Sequence, residues 1–176
     1  MPKYHVKRHA IIQPLDSSYC YIALTKNQIA IVNKEDYPIL SRYNWQTLRR
    51  RNGDFYAVRK SCAVYMHREV LRCRADEEID HRNGDTLDNR RDNLRRATRE
   101  TNQANRGRQR NNKSGFKGVS WSKGTKKWIV FLQTKKKKMY LGQFDSKILA
   151  AKTYDKAAQK YHKKFAVLNF AARRVP

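Results

Sequence analysis

The sequence predicts an α+β protein made of small modules: an N-terminal β-rich region, a short segment around an acidic loop, a basic linker, and a three-stranded antiparallel sheet packed on one helix. Three observations carry this expectation. Two extended runs flank Asn52-Gly53, residues 128–133 alternate between two faces ahead of a helix capped by Ser146, and charge is shared unevenly along the chain. With 176 residues, 39% of them hydrophobic, and a mean hydropathy of −0.94, only modest cores can form, which favours small modules on linkers.

Taken in order, Tyr21-Ile22-Ala23-Leu24 and Ile29-Ala30-Ile31-Val32 bracket residues 25–28 as a strand pair, and residues 36–43 read as a short helix ending near Trp45. Residues 47–60 form a hairpin, because Asn-Gly supplies the positive φ values of a tight turn. Arg49, Arg50 and Arg51 at its tip are placed to grip DNA backbone or to lie in solvent. Residues 65–72 suit a strand or short helix, and a polar helix follows the acidic loop from Arg90 or Arg91 to Thr101. Residues 103–114 contain little that could be buried and read as an extended basic tether carrying Arg106, Arg108 and Arg110, able to lie along a groove of DNA. After it, residues 116–121, 128–133 and 138–141 have strand length, and Ser146 caps a helix to Tyr161 or His162. Ile148, Ala151, Tyr154, Ala158 and Tyr161 recur at three- and four-residue steps, giving that helix one packing face.

The formal net charge is +25, and residues 106–176 hold 20 Lys/Arg against 2 Asp/Glu. Such a surplus repels itself and is tolerated against phosphates, so nucleic acid ranks ahead of an acidic protein or a membrane. No secretory signal, transmembrane run or strongly apolar amphipathic helix is evident, so the expected location is cytoplasmic. Cys20, Cys62 and Cys73 are odd in number and lack a C-x-x-C spacing, which argues for reduced thiols and against structural zinc.

Within this basic chain, seven carboxylates fall between Asp76 and Asp92. Acid placed there is suited to hold a cation. Hydrolysis of a phosphodiester needs a deprotonated water and a cation to neutralise charge developing on the phosphate and the leaving oxygen. Asp80 offers a hard oxygen ligand suited to Mg²⁺, and the adjacent His81 imidazole suits proton removal from water.

The run Met66-His67-Arg68, then Asp80-His81-Arg82-Asn83-Gly84-Asp85, Asp88-Asn89-Arg90-Arg91-Asp92-Asn93-Leu94-Arg95 and Ala97-Thr98-Arg99-Glu100-Thr101-Asn102 resembles the HNH endonucleases, in particular the phage and intron-encoded homing branch with a ββα-metal finger. The resemblance implies that Asp80 binds the metal, His81 is the general base, and Asn102 on the finger helix is a second ligand. It also implies that Asn93 bonds the backbone of the loop carrying His81. Asn89 would support that loop, and His67 would stand beside the site or serve as a structural His. The implied ion is Mg²⁺, with Mn²⁺ as substitute.

Ser114-Gly115-Phe116-Lys117-Gly118-Val119-Ser120-Trp121, Lys127-Trp128, Tyr140-Leu141-Gly142-Gln143-Phe144, Ala150-Ala151, Tyr154-Asp155-Lys156-Ala157-Ala158 and Phe165-Ala166-Val167-Leu168-Asn169-Phe170 resemble the Apetala-two, or ethylene-responsive-factor type, DNA-binding domain. That resemblance implies a sheet lying in the major groove. Alternation places Trp128, Val130 and Leu132 toward the helix and Ile129, Phe131 and Gln133 outward, where Ile129 and Phe131 could meet thymine methyls. Lys117, Trp121, Lys123, Lys127, Lys138 and Tyr140 complete the DNA-side set.

The expected organisation is therefore a β-rich region at 1–65, a nuclease finger at 66–105, a linker at 106–113, a DNA-binding module at 114–170 and a tail at 171–176. The expected function is site-specific, metal-dependent cleavage of double-stranded DNA by a monomer with no obligate protein partner. The alternative is a sequence-specific DNA-binding regulator whose finger is inactive. A basic aromatic sheet is also compatible with RNA.

Overall fold

The computed structural model describes residues 10–15, 17–51, 53–59, 64–109, 111–134 and 137–170. Asn52, Cys62 and Arg110, weighed in the sequence, lie outside the described residues. The chain divides into two compact units, Met1–Arg96 and Ala97–Pro176. Each has its own small antiparallel sheets and short helices, in the mixed α and β class the sequence predicts.

In the first unit, β1 (Tyr19–Ala23) and β2 (Ile29–Asn33) form an antiparallel ribbon in which Ala23 faces Ile29. Their turn uses Lys26 and Asn27 in the left-handed region, at φ 58° and 53°. Helix α1 (Tyr37–Leu40) is shorter than expected, and it ends where the Trp45 indole donates a 2.8 Å hydrogen bond to the Leu40 carbonyl. Strands β3 (Gln46–Arg49) and β4 (Phe55–Arg59) pair antiparallel, Gly53 taking φ 91° in the connection. The stretch expected as strand or helix is both: β5 (Val64–Tyr65) adds to β4 and runs directly into α2 (Met66–Val70). Ile22, Val32, Leu40, Trp45, Met66, Val70, Ile79 and Leu94 share one buried core.

The helix expected from Arg90 or Arg91 to Thr101 does not form as such. Leu94–Ala97 is a strand, β7, paired with β6 (Glu78–His81), and the helix α3 (Arg99–Asn105) begins only after Thr98. Two causes are visible. Leu94 is drawn into the core beside Ile79, and Thr98 and Thr101 cap each other's backbone amides at 3.3 and 2.8 Å, which fixes the helix start.

In the second unit, the expected tether is partly built. Helix α3 extends to Asn105, and the Asn112 side chain organises a turn by accepting from Gly115 N and Ser114 Oγ and donating to the Phe116 carbonyl. Strands β8 (Val119–Ser122), β9 (Lys127–Gln133) and β10 (Lys138–Phe144) form a sheet in the order β10-β9-β8. Helix α4 (Lys147–His162) starts at Ser146, whose Oγ accepts from Leu149 N at 3.3 Å. Ala150, Ala151, Tyr154 and Ala158 pack on Val119, Val130 and Leu132.

Ile148 and Tyr161, expected on that face, remain 45% and 47% exposed. The face is rotated because Asp155 is turned inward, accepting from the backbone amides of Asn169 (2.8 Å) and Phe170 (2.9 Å) and so tying the C-terminal segment to α4. Gly118 makes the close approach possible. At φ 75°, a Cβ there would lie 2.1 Å from the Tyr154 ring and 2.7 Å from the Phe131 carbonyl.

Helix α4 ends at Lys163, held at φ 50° and ψ −125°. That conformation favours glycine. Lys163→Gly is expected to stabilise the protein by about 1 kcal/mol, read as a higher urea midpoint at unchanged slope.

Candidate functional site

Strand β6 carries Ile79 into the core and places Asp80 and His81 beside it, 3% and 5% exposed. The connection from β6 to β7 then has to bury polar residues: Asp88, Asn89 and Asn93 are all enclosed. Asn93 closes the loop on itself. Its Oδ1 accepts from Asn83 N at 3.0 Å, and its Nδ2 donates to the Asp88 carbonyl at 2.8 Å. One amide thus spans both limbs of the loop, and Gly84, at φ 80°, turns back to donate to the His81 carbonyl.

The Asp88 carboxylate anchors the far limb, accepting from Asn83 Nδ2 and from both Nε and Nη2 of Arg90. Burial raises the Asp88 carboxyl, and the Arg90 and Asn83 hydrogen bonds outweigh it, leaving its pKa below the ordinary value. The same limb is fastened to β2. Ile31 N donates to the Leu87 carbonyl and Asn89 N to the Ile31 carbonyl, at 2.9 and 2.8 Å, forming a parallel bridge between Ile31 and Asp88. Arg91 adds a fork on Asp36, at 2.9 and 2.6 Å, and its amide donates to Asn33 Oδ1.

His81 sits in an aromatic cluster. Its ring centroid is 5.2 Å from that of His67 at 86°, and Tyr56 meets both rings edge-on, at 6.2 Å and 5.7 Å. The Tyr65 ring lies 5.4 Å from that of His67, tilted by 41°. Burial lowers the His81 pKa to about 4 despite the opposing effects of Asp85, Asn89 and Asp88. Burial and the neighbouring His81 and Arg68 lower that of His67 to about 3. Both imidazoles are neutral at physiological pH, and His81 can therefore accept a proton. Asn89 donates Nδ2 to the Leu87 carbonyl, while its buried Oδ1 has no hydrogen-bond partner among the described residues.

Asp80 holds a cation, Arg95, whose Nε and Nη2 approach Oδ2 at 2.7 and 2.6 Å. A buried carboxylate that takes a positive partner, with hard oxygen donors, fits a magnesium-like ion. Asn102, half-buried on α3, belongs to the second unit. Among the described residues, no group of three or more His, Cys, Asp or Glu side chains is placed to hold a metal ion.

The remaining candidates separate by geometry. At the hairpin tip, Arg49, Arg50 and Arg51 are exposed, with Arg49 near the Phe55 ring and Arg50 on the Tyr65 hydroxyl and ring. Arg106 is exposed and Arg108 donates to the Gly115 carbonyl. Lys117 is turned inward, its Nζ donating to the Ala104 carbonyl at 2.6 Å, and burial lowers its pKa to about 8. Trp121 pairs with Trp128 and shares its helix-side face, their rings 4.9 Å apart.

The outer face of the second unit's sheet instead presents Ser120, Lys127, Ile129, Phe131, Gln133, Lys138, Tyr140 and Gln143, as the pairings require. Lys138 Nζ lies 4.1 Å over the Phe131 ring, beside Tyr140. Lys123 is exposed at the β8–β9 turn.

Sequence reasoning missed Arg95, Tyr56, Tyr65, Asn33 and Asp36.

Residues 72–104 match the family model of the HNH endonuclease, which supports an HNH nuclease domain in that stretch and activity on DNA. No curated protein and no solved structure matches the chain. Among the described residues, no helix is long and apolar enough to cross a membrane.

Two outcomes test this arrangement. Asn93→Ala leaves Asn83 N and the Asp88 carbonyl without their buried partner and is expected to cost about 2–4 kcal/mol in urea unfolding. Asn93→Asp keeps the acceptor and should fall between. The two histidines bind protons more readily unfolded, near pH 6.5, than folded, at about 3 and 4. Stability should therefore be fully present above pH 6.5 and fall as pH drops through the window below it. His67→Phe should reduce that slope, measured as unfolding free energy between pH 7.5 and 4.5.

Proposed function

We propose that this protein is a site-specific DNA endonuclease of the homing type, using one divalent cation and His81 as general base. The observation that carries the reading is the buried Asp80-His81 pair on β6, held by a loop that Asn93 clips, inside the stretch that matches the HNH endonuclease family.

In this reading, His81 takes a proton from a water aligned on the scissile phosphate. The hydroxide forms the new P–O bond as the bond to the leaving oxygen breaks. Burial keeps the imidazole neutral before substrate arrives, and the phosphate's negative charge then raises its basicity where the proton is needed. His67 and Tyr56 hold the ring plane by edge-on packing, and Asn93 fixes the backbone on which His81 is carried. Asp80 would hold the cation, Mg²⁺ or Mn²⁺, which would neutralise charge on the phosphate and the leaving oxygen.

The sheet of the second unit supplies the address. An outer face of aromatic and amide side chains rimmed by Lys127 and Lys138 suits contact with base edges and phosphates of double-stranded DNA. Arg49, Arg51, Arg106 and Lys123 add backbone contacts, so affinity should fall with salt at about −0.9 per phosphate neutralised in a double-logarithmic plot.

Supercoiled plasmid carrying a bound site should be nicked or linearised by wild-type protein with Mg²⁺ and left intact with EDTA. His81→Ala should retain binding and lose about 10²-fold or more in cleavage rate. Cleavage by His81→Ala at the wild-type rate would remove His81 as the base. Binding without scission by wild type would leave the regulator as the better reading.

A further inference from the structure

Among the described residues of the first unit, four arginines meet a carboxylate with both Nε and Nη2, and one of these pairs differs. In Arg59 with Glu69, Arg90 with Asp88 and Arg91 with Asp36, Nε and Nη2 each take a different carboxylate oxygen. In Arg95 with Asp80, Nε and Nη2 both converge on Oδ2. This pair is also the most enclosed of the four, with side chains 10% and 3% exposed. Three forks are built for rigidity. The end-on pair falls on the carboxylate that the nuclease reading assigns to a cation.

We propose that Arg95 is a resident counter-ion for Asp80, so that a divalent cation must take this carboxylate from the guanidinium and metal uptake displaces Arg95. The inference rests on the reading of Asp80 as a metal ligand. Two physical arguments support it. A carboxylate as buried as Asp80 needs a positive partner whenever no metal is present, since an unpaired buried charge is strongly destabilising. A dication and a guanidinium on one enclosed carboxylate repel at short range and low dielectric, so simultaneous occupation is disfavoured. Arg95 therefore keeps the metal-free protein folded and sets a threshold for metal entry. The sequence places it there through strand pairing, β7 lying beside β6.

The test is Mn²⁺ binding by calorimetry on the full chain, comparing wild type, Arg95→Gln, Arg95→Lys and Asp80→Asn. Arg95→Gln removes the competing charge and should bind Mn²⁺ roughly tenfold more tightly. Arg95→Lys keeps the charge and should stay near wild type, and Asp80→Asn should lose binding. Equal or weaker binding by Arg95→Gln, with Asp80→Asn still defective, overturns the competition alone. Undiminished binding by Asp80→Asn overturns the ligand reading beneath it.

Should Arg95→Gln fail to fold, the wild-type protein decides. The Arg95 side-chain Nε–H resonance, assigned through the Arg95→Lys spectrum, should shift as Mg²⁺ is added. A resonance that stays fixed at Mg²⁺ saturation overturns the proposal.

Discussion

A loop that buries its own polar side chains must satisfy them internally, and the first unit is organised around that demand. Asn93 bonds to both limbs of the β6–β7 connection, at Asn83 N and the Asp88 carbonyl. Without it, the backbone leaving His81 would have no fixed path. Everything beyond the loop extends the same solution: Ile31 lends a strand edge to Leu87 and Asn89, Asn33 and Asp36 hold Arg91, and Thr86 donates to the Phe55 carbonyl. The N-terminal ribbon is thereby a brace for the loop as well as part of a hydrophobic core.

The acidic run has a related logic. In a chain of formal charge +25, an acidic cluster reads as a cation site, yet at least four of its seven carboxylates already hold guanidinium groups: Asp76 takes Arg74, Asp88 takes Arg90, Glu77 takes Arg96, and Asp80 takes Arg95. Pairing within the unit lets acid stand in a basic protein without forming a patch that would repel phosphate. At His81, burial outweighs the opposing effects of Asp85, Asn89 and Asp88 and leaves the imidazole neutral.

Local chemistry was the legible part. Tight turns were readable from Asn-Gly and from the polar break at residues 25–28, the α4 start from Ser146, and the inner and outer faces of β9 from simple alternation. What escaped depended on partners distant in sequence. Residues 94–97 look like part of a polar helix until Leu94 is seen to join a core assembled from β2, α1 and α2. Trp121 looks outward until its pairing with Trp128 fixes its face, and Lys117 looks like a phosphate ligand until the end of α3 supplies a carbonyl for it. The helix face centred on Ala150 and Ala151 rather than Ile148 followed from Asp155 reaching residues 169 and 170. At the candidate site, Asp80, His81 and Asn93 stand out by their order along the chain, and the structure buries all three. The rings around His81 come from β4, β5 and α2, and no spacing in the sequence announces their meeting.

The parallel bridge between Ile31 and Asp88 bears on how such a motif could be inherited or transplanted. Residues 72–104, the span that matches the nuclease family, leave behind the strand that bonds Leu87 and Asn89, the acceptors of Arg91, and the Tyr56, Tyr65 and His67 rings. A graft of that span onto another protein would carry the reactive residues without the surfaces that hold their shape. The portable cassette begins no later than β2, and recombination that respects it must keep some forty residues of apparently unrelated sequence in step with the motif.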